Sequence, residues 1–173
     1  MMNNMTYISK NQNSDRMKIS KSIGGDAESI FKSLMESKGC YVRDSSYNDN
    51  VHNHIDYYVY YKDKTFTFDV KRKHPDSIWI ELSNVNGDKG SLYGLQTHVA
   101  LYYPSINIIA TVKRKDLEQF VIDNVIDEFY IASNGRQVPY HYKYTRDGNK
   151  DVLMKTKREY LMLSIPSYKE YNL

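Results

Sequence analysis

The chain has 173 residues, 40% of them hydrophobic and 26% charged, with a formal net charge of +3. That length suits one globular domain of roughly 100–200 residues, and no stretch approaches the ~20 consecutive apolar residues of a membrane span. A single cysteine, Cys40, excludes an intramolecular disulfide and a cysteine-based zinc cage.

Residues 1–21 are polar, rich in Asn and without periodicity or an apolar stretch of the signal-peptide type. They are expected to form a flexible N-terminal arm, with residues 22–173 as a single domain in the cytoplasm. Ala27, Ile30, Phe31 and Leu34 then recur at helical spacing. Asp26 is a candidate N-cap and Gly39 a stop, so the spacing predicts a helix over 27–38, with Glu28 in its first turn.

Cys40 to Arg43 reads as a short strand and 44–53 as a polar loop. His54 to Tyr61 and Lys64 to Lys71 read as two strands of a hairpin turning at Asp63-Lys64. Ser77 to Leu82 is a further strand, and Gly87 to Gly94 a glycine-rich connection holding one helical turn. Strands are expected at 97–102 and 106–112, parted by Pro104. A helix is expected over 115–130, its apolar face carrying Leu117, Phe120, Val121, Ile122, Val125 and Ile126. Val138 to Arg146 and Val152 to Leu163 predict a closing β-hairpin across Asp147-Gly148-Asn149. The order implies an α/β domain with a central sheet flanked by helices and a C-terminal β-hairpin.

The chain holds 17 Tyr. They spread through strand-like runs and accompany abundant Asn, Lys and Ile, as in A/T-rich genes; those at 140–144 remain candidate stacking groups. From Gly135 onward eight basic residues face four acids. A basic, Tyr-interleaved segment suits phosphate contacts, and alternating strands with one solvated face produce the same pattern.

The residues with most chemistry lie between Asp56 and Glu81. Alternation along 65–71 puts Phe66, Phe68 and Val70 on one face and Thr67, Asp69 and Lys71 on the other. An acid and a lysine two residues apart can hold a divalent metal with a water beside it. Asp69 would ligate the metal, and Lys71 would orient the water or stabilise charge developing on a phosphate. Asp56, on the preceding strand, can meet this pair, and Glu28 can approach from the first helix. Such a hard oxygen site suits Mg²⁺ or Mn²⁺. Each residue also has an ordinary structural reading: Asp69–Lys71 as an exposed ion pair, Asp56 as a strand cap, Glu28 as a favourable charge at a helix start. Glu81 is either an extra ligand or the partner of Lys71 or Lys73.

Gly24-Gly25-x-x-Glu28, Gly39-x-Tyr41-Val42-Arg43, Ile55-Asp56 and Asp69-Val70-Lys71, in this order, resemble the PD-(D/E)XK nuclease superfamily, most closely its archaeal-type Holliday-junction resolvases. The resemblance covers residues 22–73. It departs from the resolvase pattern at Ile55 and at Asp69. A strand, Ile78 to Leu82, stands where resolvases place a helix, as in phage-type members of the superfamily.

The resemblance implies a restriction-endonuclease-like core and Mg²⁺-dependent hydrolysis of DNA, with branched DNA among the substrates. It also implies a homodimer and, for a phage gene, the host cytoplasm. Glu28, Asp56 and Asp69 would be the metal-site acids, the Val70 carbonyl a further ligand and Lys71 the catalytic lysine. Arg43 and Ser45 would contact phosphate, as would Arg72, Lys73 and His74 after the motif. A catalytically inactive DNA-binding or assembly module on the same fold is the alternative. His52-x-His54 lacks partners for a tetrahedral zinc site, and His98 and Cys40 read as structural.

Overall fold

A computed structural model describes residues 26–132, 138–146 and 148–173. The expected arm, 1–21, and Asp147 of the expected turn lie outside the described residues. Helix α1 spans 26–37 and stops where Gly39 adopts φ +79°, the left-handed conformation that favours glycine at a helix end. Then follow β1 (Tyr41–Asp44), α2 (Tyr47–Asn53), β2 (Tyr57–Tyr61), β3 (Lys64–Arg72), β4 (Ile78–Ser83) and a 3₁₀ turn at Ser91–Tyr93. The chain continues through β5 (His98–Tyr103), β6 (Ile108–Lys113), α3 (Arg114–Asn124) and β7 (Ile126–Ala132). It closes with β8 (Tyr142–Arg146), β9 (Val152–Thr156), α4 (Arg158–Ser164) and β10 (Lys169–Asn172).

The architecture is α/β, a mixed sheet flanked by helices. The larger sheet has the order β1-β2-β3-β5-β6-β10, and β3 and β5 are its parallel pair. A second sheet, β4-β9-β8-β7, carries the strands expected to join the first. Alternation gives the larger sheet two apolar faces. Phe68, Val70 and Ala100 face α1 and pack with Ala27, Phe31 and Met35. Val99, Leu101 and Val112 face the other way, into a core shared with Ile78, Ile80 and Met154 of the second sheet, Leu117 and Phe120 of α3, and Leu161 of α4. Among the described residues no helix is long and apolar enough to cross a membrane.

Five expectations are corrected. The polar loop at 44–53 contains α2, capped by the Ser46 side chain, which accepts the Asp49 N–H at 3.1 Å. The helix expected to reach Tyr130 ends at Asn124, and the Ile126 N–H instead donates to the His141 carbonyl at 2.8 Å as β7 pairs in parallel with β8. Ile122, placed on the apolar face, is 62% exposed. The single strand expected over 152–163 is β9 followed by α4, which buries Leu161 in the core. The β8–β9 hairpin forms as expected but is not terminal, because β10 returns to pair with β6.

Candidate active site

Hairpin register creates the site. Tyr57 lies opposite Phe68, and the Asp56 N–H donates to the Phe68 carbonyl at 2.8 Å. Asp56 therefore falls beside Asp69 across the two strands. Phe68 and Val70 are committed to the α1 face, so Asp69 and Lys71 are turned to the opposite face. There Lys71 Nζ lies 2.6 Å from Asp69 Oδ1, and Asp69 is only 2% exposed. The Asp56 carboxylate is held at both oxygens: Oδ2 accepts the Val70 N–H and Oδ1 accepts from Asn50 Nδ2, each at 2.6 Å.

The electrostatics tie four of the expected residues together. Burial, then the neighbouring Asp69 charge, pushes the Asp56 carboxyl up to about 6, against the opposing pull of Lys71 and the Val70 N–H. Burial also raises Glu28; Asp69 and Asp44 add to the rise and Lys71 opposes it. Burial acts to lower Lys71, but the Asp69 and Asp56 carboxylates outweigh it and hold the ammonium above its ordinary range. Glu28, Asp56, Asp69 and Lys71 thus share one field, an acidic group with a lysine inside it.

A cleft of about 370 Å³ opens between the two sheets beside Asp69 and Lys71, with Lys73, Glu81, Ser91 and Arg146 also on its walls. Glu81 belongs to this cleft. Its Oε2 accepts the Ser91 N–H at 3.1 Å, and its charge acts on both Lys71 and Lys73. Lys73 turns inward and donates to the Trp79 carbonyl at 2.7 Å. Burial, reinforced by Lys71, lowers it to about 8.

The expected phosphate contacts are spread more widely. Arg43 is exposed, its guanidinium 4.7 Å from the centre of the Tyr58 ring. Ser45 uses its N–H, not its hydroxyl, to hold the Asp56 carbonyl at 3.0 Å. Arg72 and His74 are exposed, and His74 Nδ1 accepts the Asp76 N–H at 3.2 Å. His98 stacks on Phe68 with ring centres 5.1 Å apart, as a structural histidine does.

Asn50 and Ser91 were not anticipated, and Arg146 only as one of the basic residues after Gly135. The Ser46-x-x-Asp49 spacing of a capping box was the available signal for α2, and so for Asn50. Ser91 and Arg146 reach the cleft only through long-range folding. Among the described residues, no three His, Cys, Asp or Glu side chains form a group placed to hold a metal ion. The donor chemistry nevertheless fits a hard divalent cation: Glu28 and Asp56 are carboxyls raised by burial and by neighbouring carboxylates, and a bound cation would relieve that repulsion.

Compared with protein-family models, with curated proteins and with solved structures, the chain matches none.

Proposed function

We propose that the chain is a metal-dependent DNA endonuclease with a restriction-endonuclease-like core. One observation carries the reading: Asp56 and Asp69 meet across the β2–β3 hairpin, with Lys71 2.6 Å from Asp69 on the same face. The order of α1, the β1–β2–β3 meander and a parallel β5 beside β3 supports it. Glu28, Asp56 and Asp69 would hold Mg²⁺ or Mn²⁺, with the Val70 carbonyl as a further ligand. When bound, the ion supplies Lewis-acid stabilisation of phosphoryl charge and a more acidic water.

Hydrolysis joins a water oxygen to phosphorus and breaks one P–O ester bond, and the departing oxygen leaves with a proton. Lys71 suits this step because the carboxylates keep it charged. A fixed ammonium stabilises negative charge that grows on the phosphate in the transition state. Branched DNA as substrate and a homodimer as the working assembly rest on the resemblance to resolvases.

A second reading, a binding-only module, is favoured by the saturation of the acids. Lys71 engages Asp69, and protein donors occupy both oxygens of Asp56. The test is incubation with supercoiled, branched and single-stranded DNA in Mg²⁺ and in Mn²⁺. The endonuclease reading expects cleavage that falls at least 100-fold in Asp69→Asn and in Lys71→Met. Cleavage that persists in both variants overturns it. Salt-sensitive DNA binding without cleavage in either metal establishes the binding module instead.

A further inference from the structure

The reverse face of the same sheet carries a second, larger concavity. Its volume is about 740 Å³, within the roughly 300–1,000 Å³ range of small-molecule sites. Register explains the hollow. Phe68, His98 and Lys113 lie side by side across β3, β5 and β6. The next row is Val70, Ala100, Thr111 and Lys169 across β3, β5, β6 and β10. Thr111 is small and lines the hollow, with the larger His98, Lys113 and Lys169 around it.

The lining carries two chemistries. One is aromatic: His98 stacks on Phe68 at 5.1 Å and meets Phe66 edge-on at 5.4 Å. The other is cationic: Lys113 and Lys169 lie diagonally across the adjacent strands β6 and β10, both exposed. Lys38 also lines the hollow, its Nζ 4.8 Å from the centre of the Tyr171 ring. Asp116 is the one acid among the lining residues, against three lysines. Burial and the nearby Lys113 charge both lower His98, which keeps the imidazole neutral and able to lie against another ring.

We propose that this concavity binds a free mononucleotide, its base against Phe66 and His98 and its phosphate at Lys113 and Lys169. The two requirements, an aromatic surface and a pair of lysines, line one hollow, with Lys113 beside His98 across β5 and β6, and a nucleotide satisfies both. A nucleoside lacks the anion for the lysines, and inorganic phosphate lacks the ring for the wall. The site is separate from the Asp69–Lys71 cleft, because β3 turns Phe68 to one face and Asp69 to the other.

Cys40 lines this hollow and is the chain's one cysteine, so its alkylation rate reports occupancy. The full-length protein is treated with a thiol reagent in the presence of AMP, adenosine, inorganic phosphate or a short single-stranded oligonucleotide. AMP is expected to slow Cys40 modification at least fivefold at saturation, with adenosine and phosphate much weaker. Lys113→Gln combined with Lys169→Gln, both at exposed positions, is expected to raise the AMP concentration needed at least tenfold while the melting temperature stays unchanged. Four outcomes overturn the proposal: no protection by millimolar AMP, equal protection by adenosine, protection by the oligonucleotide alone, or protection that follows protein concentration through self-association. Unchanged affinity in the double variant does so as well.

Discussion

Lys71 Nζ sits 2.6 Å from Asp69 Oδ1, joining a lysine that is 37% exposed to a carboxylate that is 2% exposed. The asymmetry decides how each partner responds to removal. Truncating Lys71 to Ala leaves the buried Asp69 charge without its ammonium partner. The expected loss is about 2 kcal/mol, below the 3–5 typical of a fully buried pair because Lys71 is partly solvated. Asp69→Asn keeps the shape and removes the charge, so it is expected to cost less than Lys71→Ala. Urea unfolding of both variants checks this order. The reverse order would mean that Asp69 is not held by its partner.

Asp56 makes stability depend on pH. Its folded pKa, about 6, lies above the ordinary value of 3.8. The folded protein therefore binds this proton more tightly than the unfolded chain does. The favourable contribution is full below pH 3.8 and is lost as pH rises through about 6. At neutral pH the ionised carboxylate costs at most about 3 kcal/mol, since one pKa unit is 1.36 kcal/mol. Asp56→Asn is thus expected to be more stable than the parent above pH 6 and to converge with it below pH 4. An Asn can still accept the Val70 N–H, and Asn50 can reverse its amide to accept in return. Denaturant midpoints from pH 4 to 8 test the difference; a constant gap across that range would contradict it.

The site was readable in sequence to the extent that it is local. Thr65 to Lys71 alternates, and the turn beside Asp63 is short, so the faces of Asp69 and Lys71 and the nearness of Asp56 follow from period and register. What was hidden depends on distant pairing. Ile78 to Leu82 reads as a strand of any sheet, and only its partners Thr156 and Met154 assign β4 to the second one. Ile122 and Ile126 continue a helical spacing from Leu117, yet β8 takes residues from Ile126 onward into a strand. The cleft wall bearing Arg146 was hidden for the same reason.

Gly90 marks a close approach that only glycine allows. A Cβ there would stand 2.4 Å from the Glu81 carbonyl oxygen and 2.7 Å from its carbon, and backbone cannot swing aside. Gly90→Ala is expected to cost about 2–3 kcal/mol through overpacking. It should also weaken the Ser91–Glu81 hydrogen bond at the cleft. Gly39→Ala is the control. Its Cβ meets nothing within 4 Å, but φ is +79°, so about 1 kcal/mol is expected from backbone strain alone. Thermal melts that rank Gly39→Ala as the more damaging would refute the close-approach account.

Ser45 and Ser46 separate a proposed phosphate contact from a structural cap. The Ser46 hydroxyl accepts the Asp49 N–H at 3.1 Å and donates to the Asp49 carboxylate at 2.8 Å. It anchors α2, an exposed helix with no buried residue, whose Asn50 holds Asp56. Ser46→Ala is expected to lose about 1 kcal/mol, as N-cap removal usually does, and to speed amide exchange across 49–53. With Asn50 loosened, the Asp56 carboxylate loses a donor and should titrate higher still. The Ser45 hydroxyl reaches only the Ser46 carbonyl, at 3.3 Å, while its backbone N–H holds Asp56. Ser45→Ala keeps that N–H, so stability and the Asp56 titration should not move. DNA affinity is therefore the discriminating measurement. A Ser45→Ala protein that folds normally yet binds DNA several-fold more weakly assigns the hydroxyl to phosphate. Unchanged affinity assigns Ser45 to the backbone support of Asp56 alone.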